Sequence, residues 1–143
     1  MISFGQPRVG DVVLAENFNV IVPDGFRVIF RQDLVPHIPA CYKNVTITSG
    51  DRKVRPCSAT KRKNMYHHST EIWYQEEMQS IYDYKTCTGF PKNEDTSCSD
   101  QVQFFYTDIS KYISDHRHYF GVNIPYFGRD GCNLSNPEGT YRG

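Results

Sequence analysis

Apolar positions in the first third of the chain form short strand-like runs around one helix-like run. The opening MISFGQ predicts a short buried strand, and VVLAENF, behind a capping Asp11, suits about two helical turns. FRVIFRQ, residues 26–32, is rich in β-favouring side chains and predicts a strand with Val28 and Ile29 buried. Strand, short helix, strand is the outline of a crossover unit, which joins parallel strands.

The later pattern is less regular, and its clearest feature is a pair of β-like runs. STEIWYQ (69–75) and QSIYDYKTC (79–87) predict an antiparallel hairpin. Residues 41–65 are polar and loop-like, and the acidic stretch 91–100 predicts a solvated loop, since it lacks the EF-hand spacing of a calcium site. Residues 122–143 form a tail rich in Gly, Pro and Asn.

Composition indicates one globular domain over residues 1–143, because no linker divides the chain. Ten Tyr, nine Phe and one Trp favour a packed, strand-rich fold. Sixteen basic and sixteen acidic residues cancel, and no basic block exceeds KRK, so a nucleic-acid partner is not expected. No apolar run approaches the ~18 residues of a membrane span, and MISFGQPRVG lacks the features of a signal peptide.

The five cysteines change this picture, because they favour an oxidising compartment. No CxxC pair exists, so a zinc ribbon or thioredoxin-like site is not indicated. Two polar loops are each flanked by a local pair, which fits disulfides that contribute on the order of 3 kcal/mol each. The flanking pairs are Cys41 with Cys57 and Cys87 with Cys98, and Cys132 is left over.

Two glycosylation sequons begin at Asn44 and Asn133. Sequons occur often by chance, so each alone is a weak signal. Together with the cysteines they predict a secreted protein.

Asp33 lies at the predicted end of a strand, where a binding or catalytic residue would be expected. Asp33 follows the second strand, and Pro36 prevents that strand from continuing. Ligand-handling residues gather at the carboxyl ends of strands in open α/β sheets. The alternative is a carboxylate that only caps its loop.

The stretch DHRHYFG contains His116 and His118, and it is expected in a transition from loop to strand. A metal site is not expected, because His67 and His68 are adjacent and would face opposite sides of a strand. Acid–base chemistry fits better: a carboxylate such as Asp33, bonded to Nδ1 of His116, would leave Nε2 free as a base. Acid before base is also the order in α/β hydrolases, but no G-x-S-x-G nucleophile motif is present.

Four segments together resemble the class 3, fungal-type lipase family: ISFGQPRVGD, RVIFRQDLVPHIP, YHHSTEIWY and DHRHYFG. The cysteine-flanked loops and GFPKNEDTSCSD resemble its secreted nematode branch in particular. The resemblance implies that Asp33 is the triad aspartate and His116 the triad histidine. Gln32 departs from the family, which favours Asn before the Asp.

The resemblance assigns further residues. Val35 and Ile38 are implied to line the acyl groove. His118 falls where the family often has an aromatic residue, which indicates packing or a rim position, and His68 is implied to be structural. His67 has no implied role.

The resemblance also implies what the chain does not carry. The family's nucleophile elbow, oxyanion-hole donors and lid precede SFGQPRVG, so the chain corresponds to the C-terminal half of an α/β-hydrolase sheet. Mixed parallel and antiparallel strands with few helices are therefore expected, and the edge of ISFGQ should lack its neighbour. The implied disulfides are Cys41–Cys57 and Cys87–Cys98, with Cys132 unpaired.

The implied function is that of the C-terminal part of a secreted lipase that hydrolyses triacylglycerol-type esters at a lipid–water interface. The Ser-His-Asp mechanism needs no cofactor and no metal. The chain by itself is expected to be inactive, because its serine lies elsewhere. One alternative is a catalytically inactive module that binds lipid or protein; another is a small disulfide-rich domain of unrelated function.

Overall fold

The computed structural model describes residues 1–43, 45–49, 51–61, 63–80 and 82–139. The strands of the described chain are β1 (Ile2–Phe4), β2 (Phe26–Phe30), β3 (Ile47–Ser49), β4 (Arg52–Val54), β5 (Thr70–Tyr74), β6 (Lys85–Cys87), β7 (His118–Tyr119) and β8 (Val122–Asn123). Its α-helices are α1 (Val12–Ile21), α2 (Ile109–Arg117) and α3 (Ile124–Arg129), and Val35–His37, Ser99–Gln101 and Tyr106–Asp108 form short 3-10 turns. None of the helices in these residues is long and apolar enough to cross a membrane.

A mixed sheet in the order β1-β2-β5-β6 forms the centre of the described structure. β1 and β5 both run parallel to β2, whereas β6 is antiparallel to β5. The parallel crossover unit is therefore confirmed, and so is the expected mixed sheet with few helices. Asp11 caps α1 by accepting a hydrogen bond of 3.1 Å from the Leu14 amide.

The predicted hairpin is correct in its pairing but wrong in its length. β6 contains only Lys85–Cys87, whereas the sequence predicted a strand from residue 79. Ser80 accounts for this, because its hydroxyl accepts a 3.1 Å hydrogen bond from the Tyr82 amide, a bond that competes with strand pairing. A second, unpredicted hairpin of β3 and β4 lies inside the loop-like stretch 41–65.

The two faces of the sheet bury different side chains, as strand alternation requires. One face packs Val28, Phe30, Tyr74, Met78 and Tyr119, and the other packs Ile29, Trp73, Cys87 and Cys98. Val28 and Ile29 are thus buried as predicted, but the prediction of a buried first strand is wrong. Ile2 is 64% exposed and Phe4 51% exposed, because β1 lies at the edge of the sheet.

The acidic stretch 91–100, predicted to be a solvated loop, is largely buried. Arg8 Nε and Nη2 donate to the Glu94 carboxylate at 2.8 and 2.7 Å, and Arg27 Nη2 donates to the Asn93 carbonyl at 2.7 Å. Two buried guanidinium groups need acceptors, and this loop supplies them. The solvated-loop prediction failed because those arginines are distant in sequence.

The structure contains the disulfides Cys41–Cys57 and Cys87–Cys98, with Cα–Cα separations of 5.5 and 6.0 Å. Cys132 is a free, exposed cysteine. The implied pairing therefore agrees with the structure.

The predicted tail is also more ordered than its composition indicated. β8 pairs with β7, and α3 begins at Ile124 behind Asn123, whose side chain accepts a 3.3 Å hydrogen bond from the Tyr126 amide. Asn followed closely by Pro125 is a helix-start signal that the sequence analysis did not use.

His67 makes stability pH-dependent, because it is 3% exposed with Nδ1 3.0 Å from Glu94 Oε1. Burial and the charge of Arg27 lower the pKa of His67 from 6.5 to about 3. Below pH ~6.5 the His67 ring is protonated in the unfolded chain but stays neutral in the folded chain. The free energy of unfolding therefore decreases as the pH is lowered. We expect a loss of about 2 kcal/mol between pH 7.5 and pH 5, measured by urea unfolding.

The matched variants are His67→Gln and His118→Gln. His67→Gln should flatten the pH dependence, whereas His118→Gln should leave it unchanged, since the His118 side chain is 31% exposed. Equal slopes for wild type and His67→Gln would contradict the prediction.

Candidate active site

Asp33 lies in the turn that follows β2, at the carboxyl end of the strand, as the sequence predicted. Its amide donates a 2.9 Å hydrogen bond to the Phe30 carbonyl, and the residue is fully buried. A buried carboxylate requires several donors, and the surrounding elements provide them.

His116 lies in the last turn of α2, not in a transition from loop to strand as expected. Tyr112 and Asp115 form the buried side of this helix, which ends where His118 adopts an extended backbone. The spacing of Ile109, Tyr112, Ile113 and His116 is the i, i+3, i+4, i+7 pattern of a helix. That pattern could have revealed α2, but the β-favouring aromatic residues nearby obscured it.

The fold brings Asp33 and His116 together across 83 residues of sequence. Nδ1 of His116 lies 3.1 Å from Asp33 Oδ1 and 3.0 Å from Oδ2. The Val35 amide donates to Oδ1 at 2.9 Å, and the Tyr119 hydroxyl donates to Oδ2 at 2.6 Å. Since a carboxylate only accepts, Nδ1 carries the proton and Nε2 keeps a free lone pair. The pair is therefore arranged to act as a general base.

Tyr119 strengthens this arrangement, although the sequence analysis did not single it out. The residue is 5% exposed, and burial together with the charge of Asp33 raises the pKa of its hydroxyl well above the usual range. Tyr119 therefore remains a neutral donor to the carboxylate at physiological pH.

Gly5 leaves room for the Asp–His pair. A Cβ at this position would lie 2.6 Å from Asp33 Oδ2 and 2.7 Å from His116 Nδ1. Its φ of +55° is also in the left-handed region that favours glycine. Only glycine fits here without displacing one of the two side chains.

An apolar groove of about 610 Å³ opens beside His116, whose side chain is 36% exposed. Its walls come from β1, β7, β8, the turn between β7 and β8, and α3: Phe4, Tyr119, Phe120, Val122, Ile124, Pro125 and Phe127, with Arg117 at α2. Val35 and Ile38 do not line this groove; Val35 begins a short turn and Ile38 is 48% exposed. Their role in binding an acyl chain stays a prediction.

His68 and His118 have hydrogen-bond partners outside the Asp–His pair. His68 shares hydrogen bonds of 2.8 Å with the Gln6 side chain and 2.9 Å with the Ser69 hydroxyl, which matches a structural role. His118 Nδ1 lies 2.8 Å from the Ser114 carbonyl at the protein surface, which matches a rim position. Both therefore serve local structure.

The other predicted sites are a metal site and two glycosylation sites. Within the described residues, the set with metal-ligand spacing is Glu71, Cys87 and Cys98, but a disulfide already engages both sulfur atoms. Asn44 lies outside the described residues, and Asn133 is exposed. Glycosylation at either position stays a prediction.

A family model and a curated relative that match this chain both name a lipase. The family model described as "Lipase (class 3)" matches residues 1–43. Lipase ZK262.3 of Caenorhabditis elegans is 38% identical over 145 residues, which cover 100% of this chain and 40% of that protein. Uncharacterized protein C40H1.2 of Caenorhabditis elegans is 31% identical over 112 residues, 77% of this chain and 42% of that protein. The chain thus spans about 40% of the length of these curated relatives.

Solved structures share the fold. Lipase II from Rhizopus niveus aligns with a TM-score of 0.52 and 22% identity, over 85% of this chain and 35% of that one. The lipase from Rhizopus microsporus var. chinensis aligns with a TM-score of 0.51 and 26% identity, over 84% of this chain and 31% of that one. The sheet is therefore part of an α/β-hydrolase fold.

Proposed function

Because this chain belongs to the class 3 lipase family, we propose that it supplies the aspartate and the histidine of a serine ester hydrolase. Asp33 is the acid and His116 the general base. The observation that carries the proposal is the 3.0 Å contact of His116 Nδ1 with a fully buried carboxylate.

In the proposed reaction His116 acts twice as a base. As a serine Oγ bonds to the ester carbonyl carbon, Nε2 takes the hydroxyl proton, and Asp33 stabilises the imidazolium. The tetrahedral intermediate then expels the alcohol, which receives that proton, and leaves an acyl-enzyme. In the second half of the reaction a water oxygen bonds to the acyl carbon while Nε2 takes a proton from the water. The bond to the serine Oγ then breaks, the carboxylic acid is released, and the serine regains a proton from Nε2.

We assign the serine to a part of a longer polypeptide. The chain spans about 40% of its curated relatives, which leaves room for a preceding nucleophile-bearing part. Among the described residues, no serine hydroxyl hydrogen-bonds to His116, whose partner is Asp33. An outside nucleophile could approach Nε2, because the His116 side chain is 36% exposed.

The proposed substrate is a lipid ester of the triacylglycerol type. The apolar groove beside His116 suits an acyl chain, because Phe120, Ile124 and Phe127 offer it no polar partner. Action at a lipid–water interface and secretion of the complete protein are part of the same proposal. The two disulfides support secretion, since such bonds persist in oxidising compartments.

The test compares the 143-residue chain with a longer polypeptide in which it follows the nucleophile-bearing part. We expect the chain alone to hydrolyse a short-chain nitrophenyl ester no faster than buffer, since the serine is supplied elsewhere. The longer polypeptide should hydrolyse the ester. His116→Ala should abolish this hydrolysis, and His118→Ala should not. His116-dependent turnover by the chain alone, or turnover by the longer protein that survives His116→Ala, would refute the proposal. The second result would favour a non-catalytic lipid-binding module.

A further inference from the structure

Three aromatic rings in contact, one after another, connect the segment that carries Asp33 to the helix that carries His116. The His37 ring lies 4.8 Å from the Phe104 ring, centroid to centroid, and the Phe104 ring lies 5.0 Å from that of Tyr112 at an interplanar angle of 85°. We call these three side chains the aromatic column. The Phe104–Tyr112 pair is edge-to-face and the His37–Phe104 pair is tilted by 52°. Edge-to-face rings at such distances attract each other beyond the effect of burial.

The His37 end of the column is connected to Asp33 through one short turn. Val35–His37 is a single 3-10 turn, and the Val35 amide donates to the Asp33 carboxylate at 2.9 Å. The His37 ring is also 3.9 Å from Asp100, which accepts a 2.8 Å hydrogen bond from Lys43. A displacement of the His37 ring would therefore move the turn that holds the carboxylate.

The Tyr112 end of the column is joined to His116 through α2. Tyr112 is 2% exposed and precedes His116 by four residues, so the two lie on one side of the helix, about one turn apart. The Tyr112 hydroxyl accepts a 3.0 Å hydrogen bond from the Phe105 amide, which secures the backbone next to Phe104.

Without the column, α2 would be held to this segment mainly at its C-terminal end. Asp115 accepts a 3.2 Å hydrogen bond from the Gln32 amide, and His116 bonds to Asp33. Both contacts are in the last turn, so together they form a pivot about which the helix can tilt. The contact of Tyr112 with Phe104, one turn earlier, removes that freedom.

We propose that Phe104 is a positioning residue: packed between His37 and Tyr112, it sets the tilt of α2 and thereby holds His116 Nδ1 against Asp33. Phe104 does not touch the reacting atoms. The consequence for catalysis rests on the proposed function of the Asp–His pair, whereas the positioning itself does not.

The experiment uses the 143-residue chain and the NMR signal of the His116 Nδ1 proton. Phe104→Leu keeps an apolar side chain but removes the ring, so the Nδ1 proton should exchange with water faster. The expected increase is up to about tenfold, because the stabilisation by one aromatic pair can change the opening equilibrium by no more than that. Phe105→Leu and Tyr106→Leu are the matched controls, since these neighbours are 58% and 93% exposed and should leave exchange unchanged. Phe104→Tyr should behave as wild type.

A melting temperature measured for each variant separates positioning from stability. If Phe104→Leu lowers the melting temperature but leaves the Nδ1 proton as in Phe105→Leu, the inference is overturned. Should Phe104→Leu fail to fold, His37→Leu removes the other contact of the column. Its control is Lys43→Met, which removes another interaction of Asp100, the hydrogen bond from Lys43, but leaves the three rings of the column unchanged. Faster exchange in His37→Leu alone supports the column, and equal exchange in both overturns it.

These outcomes are independent of the proposed function. Faster Nδ1 exchange in Phe104→Leu, combined with hydrolysis that survives His116→Ala in the longer polypeptide, would retain the column and reject the catalytic role. Unchanged exchange, combined with hydrolysis that His116→Ala abolishes, would reject the column and retain the catalytic role.

Discussion

Replacing Asp33 with asparagine is expected to lower kcat by about ten-thousandfold in a polypeptide that carries both this chain and the nucleophile. KM should stay near the wild-type value, because Asp33 is fully buried and does not reach the groove. The measurement is the steady-state hydrolysis of a nitrophenyl ester.

The size of the effect follows from how the asparagine must be oriented. The Val35 amide can only donate, so the asparagine oxygen takes the Oδ1 position, where Val35 donates at 2.9 Å. The NH₂ group then occupies the Oδ2 position, 3.0 Å from His116 Nδ1. Because this group donates to Nδ1, the imidazole proton moves to Nε2, and the lone pair that should accept the serine proton is lost.

The matched control is Asp24→Asn, which makes the same chemical change at an exposed carboxylate. It should leave both kcat and KM unchanged. A fall of less than tenfold for Asp33→Asn in folded protein would show that the carboxylate does not set the tautomer of His116, and the proposed mechanism would be wrong.

Replacing Glu94 with glutamine is expected to destabilise the fold by about 3–5 kcal/mol, the cost of leaving a buried charge without its partner. The side chains of Arg8 and Glu94 are 2% and 1% exposed, and two hydrogen bonds join them. Glutamine keeps the shape of glutamate but removes the negative charge, and its NH₂ group faces donors. The measurement is urea unfolding at pH 7.5.

Glu77→Gln is the control, because Glu77 forms an ion pair with Arg31 at the surface. The Glu77 side chain is 58% exposed and the Arg31 side chain 32%. Exposed pairs contribute little, so this change should cost less than about 1 kcal/mol. The double variant Arg8→Met, Glu94→Gln should recover most of the lost stability, since no unpaired buried charge remains. Equal effects for Glu94→Gln and Glu77→Gln would contradict the argument.

Loop 91–100 illustrates why some predictions failed. Its residues are polar and acidic, and local sequence alone predicts solvent exposure for such a stretch. The loop is buried because Arg8 and Arg27, more than 60 residues earlier, need acceptors inside the protein. Charge complementarity between distant segments has no local signature.

The sequence by itself determined the parallel unit of β1, α1 and β2, the position of Asp33 after β2, and the family to which the chain belongs. These features depend on side-chain alternation, helix capping and short motifs, all encoded by neighbouring residues. The helix that carries His116 has a local signature in its apolar spacing, but only the tertiary structure decided that Nδ1 of His116 lies against Asp33 and that Gly5 leaves space for both. The physical reason is that backbone preferences act over a few residues, whereas the burial and pairing of polar groups depend on whichever distant segments the fold brings within hydrogen-bonding distance.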